Sequence, residues 1–153
     1  DRPRRSLRIH GRSGAMTPEL FWLTATAVLA ASLWIPFIVG VNTAPAGSLP
    51  EDAPDGFIYA ANWRVHRPWV QRAYRAHQNI LEQGIPFAIL ILILDRIDGF
   101  TALTAWTAAA FFIIRVVHAV GYITGITGFP ARPIIFTAGW VCCLILAVAA
   151  FTA

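Results

Sequence analysis

The chain has 153 residues, of which 57% are hydrophobic and 13% are charged. Soluble globular domains carry about 25% charged residues, so this composition excludes an ordinary soluble protein and indicates one integral membrane domain. The formal charge of +4 is carried by 12 arginines without any lysine. They form no basic stripe with interleaved aromatic residues in a soluble region, so we expect no nucleic-acid partner and interpret the charge as membrane topology.

The N-terminal 15 residues are basic and polar, which predicts a disordered extension. Met16 directly precedes a Thr-Pro-Glu sequence that is typical of a helix start. One interpretation is that residues 16–153 are the native membrane domain and the residues before them an extension. A secretory signal with a cleavage motif at Ala44-Pro45-Ala46 is the alternative, although the apolar run 20–41 is longer than the core of a signal peptide.

Four apolar segments predict four membrane spans, at about residues 18–41, 69–95, 100–124 and 133–152. About 20 residues are needed to cross the hydrocarbon core. We expect a kink at Pro36 in the first span and a helix start at Pro68 for the second. Short polar turns join the second, third and fourth spans, so the prediction is an all-α, antiparallel four-helix bundle in the membrane.

A long connection, residues 42–70, joins the first two spans and changes character along its length. It is rich in proline and acids at first and then becomes aromatic and basic. Tryptophan and tyrosine beside arginine are typical of an interfacial anchor, so Phe57 to Trp69 is expected to lie along the lipid headgroups.

The arginines also predict an orientation. Alternation of the spans places six of them on one side: Arg64, Arg67, Arg72, Arg75, Arg115 and Arg132. The opposite side has only Arg96 if the chain starts at Met16, and the positive-inside rule then makes the six-arginine side cytoplasmic. Including residues 1–15 adds five arginines to the opposite side and makes the count six against six, so the orientation depends on the native start.

The motif RAHQNILE, residues 75–82, opens the second span with polar groups. Arg75, Asn79 and Glu82 are spaced by four and three residues and therefore share one helix face. The uncharged run that follows, residues 84–94, is too short to cross the membrane alone. The polar turns are thus expected at membrane depth, where ionisable groups face the protein interior and indicate function.

The third span repeats this pattern with Arg115, His118 and Tyr122, and Arg132 follows across the next short turn. A buried ion pair of Glu82 with Arg75 or Arg115 would be the structural explanation. Seven converging groups with excess positive charge favour an anionic guest instead. No second histidine, cysteine or carboxylate stands at ligand spacing, so no metal is predicted. The adjacent cysteines, Cys142 and Cys143, are expected to pack against lipid or neighbouring helices.

The combination of RAHQNILE, Arg115-Val-Val-His118-Ala-Val-Gly-Tyr122 and Pro130-Ala-Arg132 resembles the MAPEG family, the membrane-associated proteins in eicosanoid and glutathione metabolism. The resemblance covers about residues 16–153 and is closest to short bacterial members. It implies a homotrimer in the bacterial inner membrane, with glutathione between subunits near the cytoplasmic face. It also implies glutathione transferase, peroxidase or isomerase chemistry on lipophilic substrates.

Carried over position by position, the resemblance implies a glutathione cup formed by Arg75, Asn79, Glu82, Arg115, His118 and Tyr122. Arg115 would be partly structural through Glu82, and Arg132, with help from Tyr122, would activate the thiol. Gln78, Pro133 and Phe136 depart from the residues of some relatives. These departures weaken the case for a prostaglandin-type isomerase and leave thiol activation to Arg132 and Tyr122.

The leading prediction is therefore a glutathione-dependent membrane enzyme of transferase or peroxidase type that acts on lipophilic electrophiles. A non-catalytic family member with a structural or accessory role is the first alternative. A small proton or anion transporter using Glu82, His118 and the arginines is the second, although the paired repeats and broken helices of many transporters are missing from the sequence.

Overall fold

The computed structural model describes residues 15–45, 47–49, 62–126 and 128–153. The predicted disordered extension lies outside the described residues except for Ala15. Ala46 of the cleavage motif and the first five residues of the predicted interfacial segment, 57–61, lie outside them as well.

Four helical segments long and apolar enough to cross a membrane make up the described chain. The first consists of two helices, and the long connection ends in a 3-10 turn at Trp63–Val65. The helices are α1 (Pro18–Ser32), α2 (Trp34–Asn42), α3 (Pro68–Arg96), α4 (Ala102–Thr124) and α5 (Ala131–Thr152). The prediction of an all-α membrane four-helix bundle is confirmed, and each span lies within about two residues of its predicted bounds.

The expected kink in the first span is an interruption at Leu33, between α1 and α2. Pro36 has no backbone N–H to donate to the carbonyl of Ser32, four residues before it, and its ring crowds that carbonyl. The helix is therefore interrupted one turn before the proline. Pro68, as predicted, occupies the first turn of α3.

A buried apolar cluster joins α3, α4 and α5. The rings of Phe87 and Phe111 stack at 4.0 Å between centroids, and Leu146 is fully buried beside them. Cys142 and Cys143 belong to this cluster, so they pack against neighbouring helices. This packing sets the relative position of the three helices that carry the candidate site.

The two ends of the bundle differ in charge. The acid end, defined by Glu19, Asp95 and Asp98, is where α1 and α4 begin. Thr17 caps α1 by accepting from the Leu20 N–H at 3.3 Å, and a capping box formed by Thr101 and Thr104 starts α4. The opposite end, the arginine end, is defined by Arg67, Arg72, Arg75 and Arg132. The predicted site residues of the third span lie in the half of α4 nearest this end.

Candidate functional site

Two arginines at the start of α3 bind the C-terminal ends of other helices. Arg67 donates to the carbonyls of Gly40 and Thr43 at 3.3 and 3.1 Å, at the end of α2. Arg72 donates through Nε to the carbonyl of Ile123 at 3.1 Å, at the end of α4. The last carbonyls of a helix have no partner within the helix and carry partial negative charge. Part of the arginine excess in the sequence is thus explained by helix termini.

A cavity of about 360 Å³ opens at the arginine end between α3, the 3-10 turn and α4. Its lining residues are Trp63, Pro68, Gln71, Arg72, Arg75 and Tyr122. Two guanidinium groups therefore face one volume, and no carboxylate is among these lining residues. Such a cavity suits an anionic ligand, because guanidinium groups bind carboxylates through paired N–H donors.

Tyr122 connects this cavity to the other predicted residues. The guanidinium of Arg132 lies over the Tyr122 ring, 4.3 Å from its centroid, and the His118 ring stacks on Tyr122 at 5.6 Å. His118 is buried and also contacts Phe136, at 6.1 Å. The structure thus brings Arg75, His118, Tyr122 and Arg132 to one end of the bundle, with Tyr122 at the centre.

Arg115 does not belong to the cavity surface. Its side chain is 1% exposed and donates through Nη2 to the carbonyl of Ile135 at 3.2 Å. The guanidinium lies 5.7 Å from the ring centroids of both Phe111 and Phe136. Arg115 therefore links α4 to α5 in the bundle interior, where cation–π contacts and a carbonyl stabilise its charge.

The expected link between Arg115 and Glu82 is wrong within a single chain. Glu82 is exposed on α3, whereas its neighbour Gln83 is buried and, like Arg115, lies beside Gly139. Gln83 donates to the Phe136 carbonyl at 3.0 Å. Within the part of the chain that the structure describes, its Oε1 atom and the Nε and Nη1 atoms of Arg115 have no hydrogen-bond partner. Successive side chains on a helix point about 100° apart, so Glu82 faces outward while Gln83 faces the interior of the bundle.

Asn79 and Glu82 are placed differently from Arg75. Asn79 is 7% exposed, and Glu82 is exposed on the outer surface of α3. Within the described residues of one chain, Arg75 and Tyr122 are the predicted residues that line the 360 Å³ cavity. The structure therefore assembles part of the predicted cup and leaves Glu82 facing outward.

Sequence reasoning did not assign four of the lining residues to the site: Trp63, Pro68, Gln71 and Arg72. Arg72 stands three residues before Arg75 and so continues the same helix face, a signal that was available. Gln71 donates to the carbonyls of Arg64 and His66, which holds the 3-10 turn against α3. No spacing rule links Trp63 to this site, because a segment without regular periodicity brings it there.

Comparison with protein-family models matches residues 21–152 to the MAPEG family. A comparison with curated proteins finds no significant match to an individual relative. The family match spans nearly the whole chain, and the four spans form the membrane four-helix bundle of that family. The chain therefore belongs to the MAPEG family.

Proposed function

We propose that this chain is a glutathione-dependent membrane enzyme of transferase or peroxidase type that acts on lipophilic electrophiles. Members of the family generally use glutathione, and the family includes both enzymes and non-catalytic members. The observation that carries the proposal is the cationic cavity at the arginine end, with Tyr122 in its wall and Arg132 against Tyr122.

The lining residues suit glutathione, which has two carboxylates, one ammonium and a thiol. Arg72 and Arg75 supply guanidinium donors for carboxylates, and the Gln71 amide offers polar contacts. The volume of about 360 Å³ lies at the lower end of the range for small-molecule sites. The ammonium group of glutathione still requires an acceptor, and we assign this role to Glu82, the carboxylate of the motif at residues 75–82.

Arg132 has enough electrostatic influence to activate the thiol. A thiol with a pKa of about 8.5 must be shifted by about 1.5–2 units to be mostly ionised at neutral pH, which requires about 2–3 kcal/mol. A single guanidinium about 4 Å away supplies about 4 kcal/mol at an effective dielectric constant near 20, before desolvation. Arg132 would stabilise the sulfur anion, and the Tyr122 hydroxyl would donate to it.

A groove on α5 next to Arg132 suits the lipophilic partner. It is lined by Pro133, Ile134, Thr137, Ala138 and Val141 and has a volume of about 370 Å³. Pro133, the departure noted in the sequence, is among these lining residues and follows Arg132 directly in the chain. An electrophile in this groove would meet the thiol where the groove begins.

The outward position of Glu82 supports assembly as a homotrimer. Glu82 and Arg75 are exposed on a span that must cross the membrane, and an ionisable group facing lipid is costly. A neighbouring subunit would cover them and bring Glu82 to a cavity of the assembly. Crosslinking in mild detergent should give trimers, and Glu82→Ala should weaken assembly or glutathione binding; a purely monomeric pattern would refute this.

We also infer that the arginine end faces the cytoplasm of a bacterial inner membrane. Arg64, Arg67, Arg72, Arg75 and Arg132 lie on that side, which supports the orientation through the positive-inside rule. Alkaline phosphatase fused after Ala153 should be active, because that terminus would be outside the cytoplasm. An inactive but stably expressed fusion would reverse the orientation.

One experiment separates the enzyme from its rivals. Glutathione binding to the purified protein is measured by calorimetry, and conjugation of a chlorodinitrobenzene-type electrophile is then followed by absorbance. Binding with turnover supports the enzyme. Binding without turnover indicates the non-catalytic family member, the second candidate, which the departures at Gln78 and Pro133 favour. Loss of both refutes glutathione dependence and leaves a transport or structural role.

A further inference from the structure

Arg72 contacts the end of α4 at the point where that helix approaches the cavity. Its Nε atom donates to the carbonyl of Ile123 at 3.1 Å, across 51 positions of sequence. The Gly125 N–H donates to the carbonyls of Gly121 and Tyr122, and the carbonyl of Ile123, the next residue, accepts from Arg72. The guanidinium thus supplies a partner from another helix for one carbonyl in the last turn of α4.

Gly125 makes room for this contact. It adopts φ +79°, a left-handed conformation that ends α4 and that glycine adopts without steric cost. A Cβ atom at Gly125 would lie 3.2 Å from Nη2 of Arg72 and 3.3 Å from its Cζ. The guanidinium therefore packs directly over the glycine, and this packing depends on both residues.

Both proposed catalytic residues are attached to this helix end. Tyr122 immediately precedes Ile123, and the turn that starts at Gly125 leads to Arg132, whose N–H donates to the carbonyl of Gly128 at 3.1 Å. A shift of the last turn of α4 would move Tyr122 relative to Arg75. It would also displace the connection to α5, which begins with Ala131 and Arg132.

We propose that Arg72 is a positioning residue that holds the end of α4, so that Tyr122 keeps its place in the cavity wall and Arg132 its place over the Tyr122 ring. The proposal rests on the proposed glutathione-dependent function and adds a residue to it. Arg72 acts on the sulfur of glutathione indirectly, by holding Tyr122 and Arg132 in position. As a second effect, its own positive charge adds to the charge of the cavity.

Arg67 provides a matched control. It stands five residues before Arg72 at the same end of the bundle and also binds helix-end carbonyls, but those of α2. Its side chain is not among the residues that line the cavity. Replacing either arginine by methionine removes one positive charge and the contact with one helix end. The lost contact is with α2 for Arg67→Met and with α4 for Arg72→Met, so a difference between the two variants reports on the position of the end of α4.

The first measurement is amide hydrogen exchange of residues 121–126 without glutathione. Arg72→Met should raise exchange of the Gly125 amide by about tenfold, because one charged hydrogen bond that holds the helix end is lost. Arg67→Met should leave these amides unchanged. Equal exchange in Arg72→Met and the parent protein would overturn the proposal, whether or not the protein binds glutathione.

The second measurement is the ultraviolet absorbance of the thiolate when glutathione is added. Arg72→Met and Gly125→Ala should both lower the absorbance per bound glutathione and reduce kcat more than they raise KM. Gly125→Ala keeps the arginine charge, so it also serves if Arg72→Met fails to fold. Normal thiolate absorbance in Gly125→Ala with bound glutathione would overturn the positioning role, whereas absence of binding in the parent protein refutes the proposed function alone.

Discussion

The acid end and the arginine end both place charged or polar side chains at helix termini, in agreement with the helix dipole. At the acid end, the hydroxyl of Thr104 donates to Oε1 of Glu19 at 2.7 Å where α1 and α4 begin. At the arginine end, Arg67 and Arg72 bind carbonyls where α2 and α4 finish. Acidic groups are favourable near helix N-termini and cationic groups near C-termini.

The two ends differ in whether a ligand could reach their polar groups. Glu19 is 2% exposed and Thr104 is fully buried, so this polar contact is closed to ligands. A cleft of about 610 Å³ near the acid end is larger than the arginine-end cavity, but most of its lining is apolar, including Phe100, Leu144 and Val148. Size alone would select the acid end, whereas the two arginines that line the smaller cavity are the reason we propose the arginine end as the site.

The strongest test of this comparison removes the proposed catalytic arginine. Arg132→Ala should retain glutathione binding and lower kcat by about 100-fold, since one positioned charge near a developing anion contributes at that level. Stopped-flow conjugation kinetics and calorimetry on the same preparation measure both quantities. Arg132→Lys, which keeps a positive charge, should retain more activity, and unchanged turnover in Arg132→Ala would refute the catalytic assignment.

At the acid end, a double-mutant cycle of Glu19→Ala and Thr104→Val should give a coupling of about 1–2 kcal/mol in the free energy of unfolding. The contact is buried on both sides, so solvent does not replace it. Thermal unfolding in detergent measures the coupling. Glu19→Gln and Thr104→Ser, which keep an acceptor and a donor, are the controls, and impaired glutathione binding in folded Glu19→Ala would contradict the separation of the two ends.

The packing beside the arginine end is tested at Gly139. A Cβ atom there would lie 2.5 Å from both Nη2 of Arg115 and Oε1 of Gln83. Gly139→Ala should therefore destabilise the protein by about 1–3 kcal/mol through overpacking. Gly128→Ala is the matched control, because a Cβ atom at Gly128 would meet no atom within 4 Å. Equal melting temperatures for the two variants would refute the close packing around Arg115.

The smallest effect is expected at the acid-end cap. Thr17→Ala removes the side chain that accepts from the Leu20 N–H and should cost about 0.5–1 kcal/mol. Thr17→Asn keeps a capping acceptor and should retain stability. Chemical denaturation in mixed micelles compares the two, and a Thr17→Ala protein as stable as the parent would show that this cap contributes nothing.

The sequence was sufficient for the spans and for the helix faces. Apolar length predicts the four membrane-crossing helices, and Pro36 predicts the interruption at Leu33 because a proline lacks the N–H that its preceding turn requires. The spacing of Arg115, His118 and Tyr122 correctly places them on one face of α4. Family membership follows from the same motifs and is confirmed by the family match.

The spacing of polar residues along the sequence could not show which group each polar side chain contacts. Periodicity fixes the face that a residue occupies on its own helix, but not which group of another helix meets it. Arg115 was assigned to Glu82, yet helix packing places it beside Gly139, where its Nη2 donates to the Ile135 carbonyl.

What the sequence by itself determined is the membrane class, the four spans, the family and the end of the bundle where the polar groups gather. Only the tertiary structure decided how the arginines divide their roles. Arg72 and Arg75 share one helix face, yet Arg72 also reaches the carbonyl of Ile123 in α4. The physical reason is that the guanidinium of a long, flexible arginine side chain can donate to any carbonyl within its reach that has no other partner. Which carbonyls lie within reach depends on how the helices pack in the folded chain.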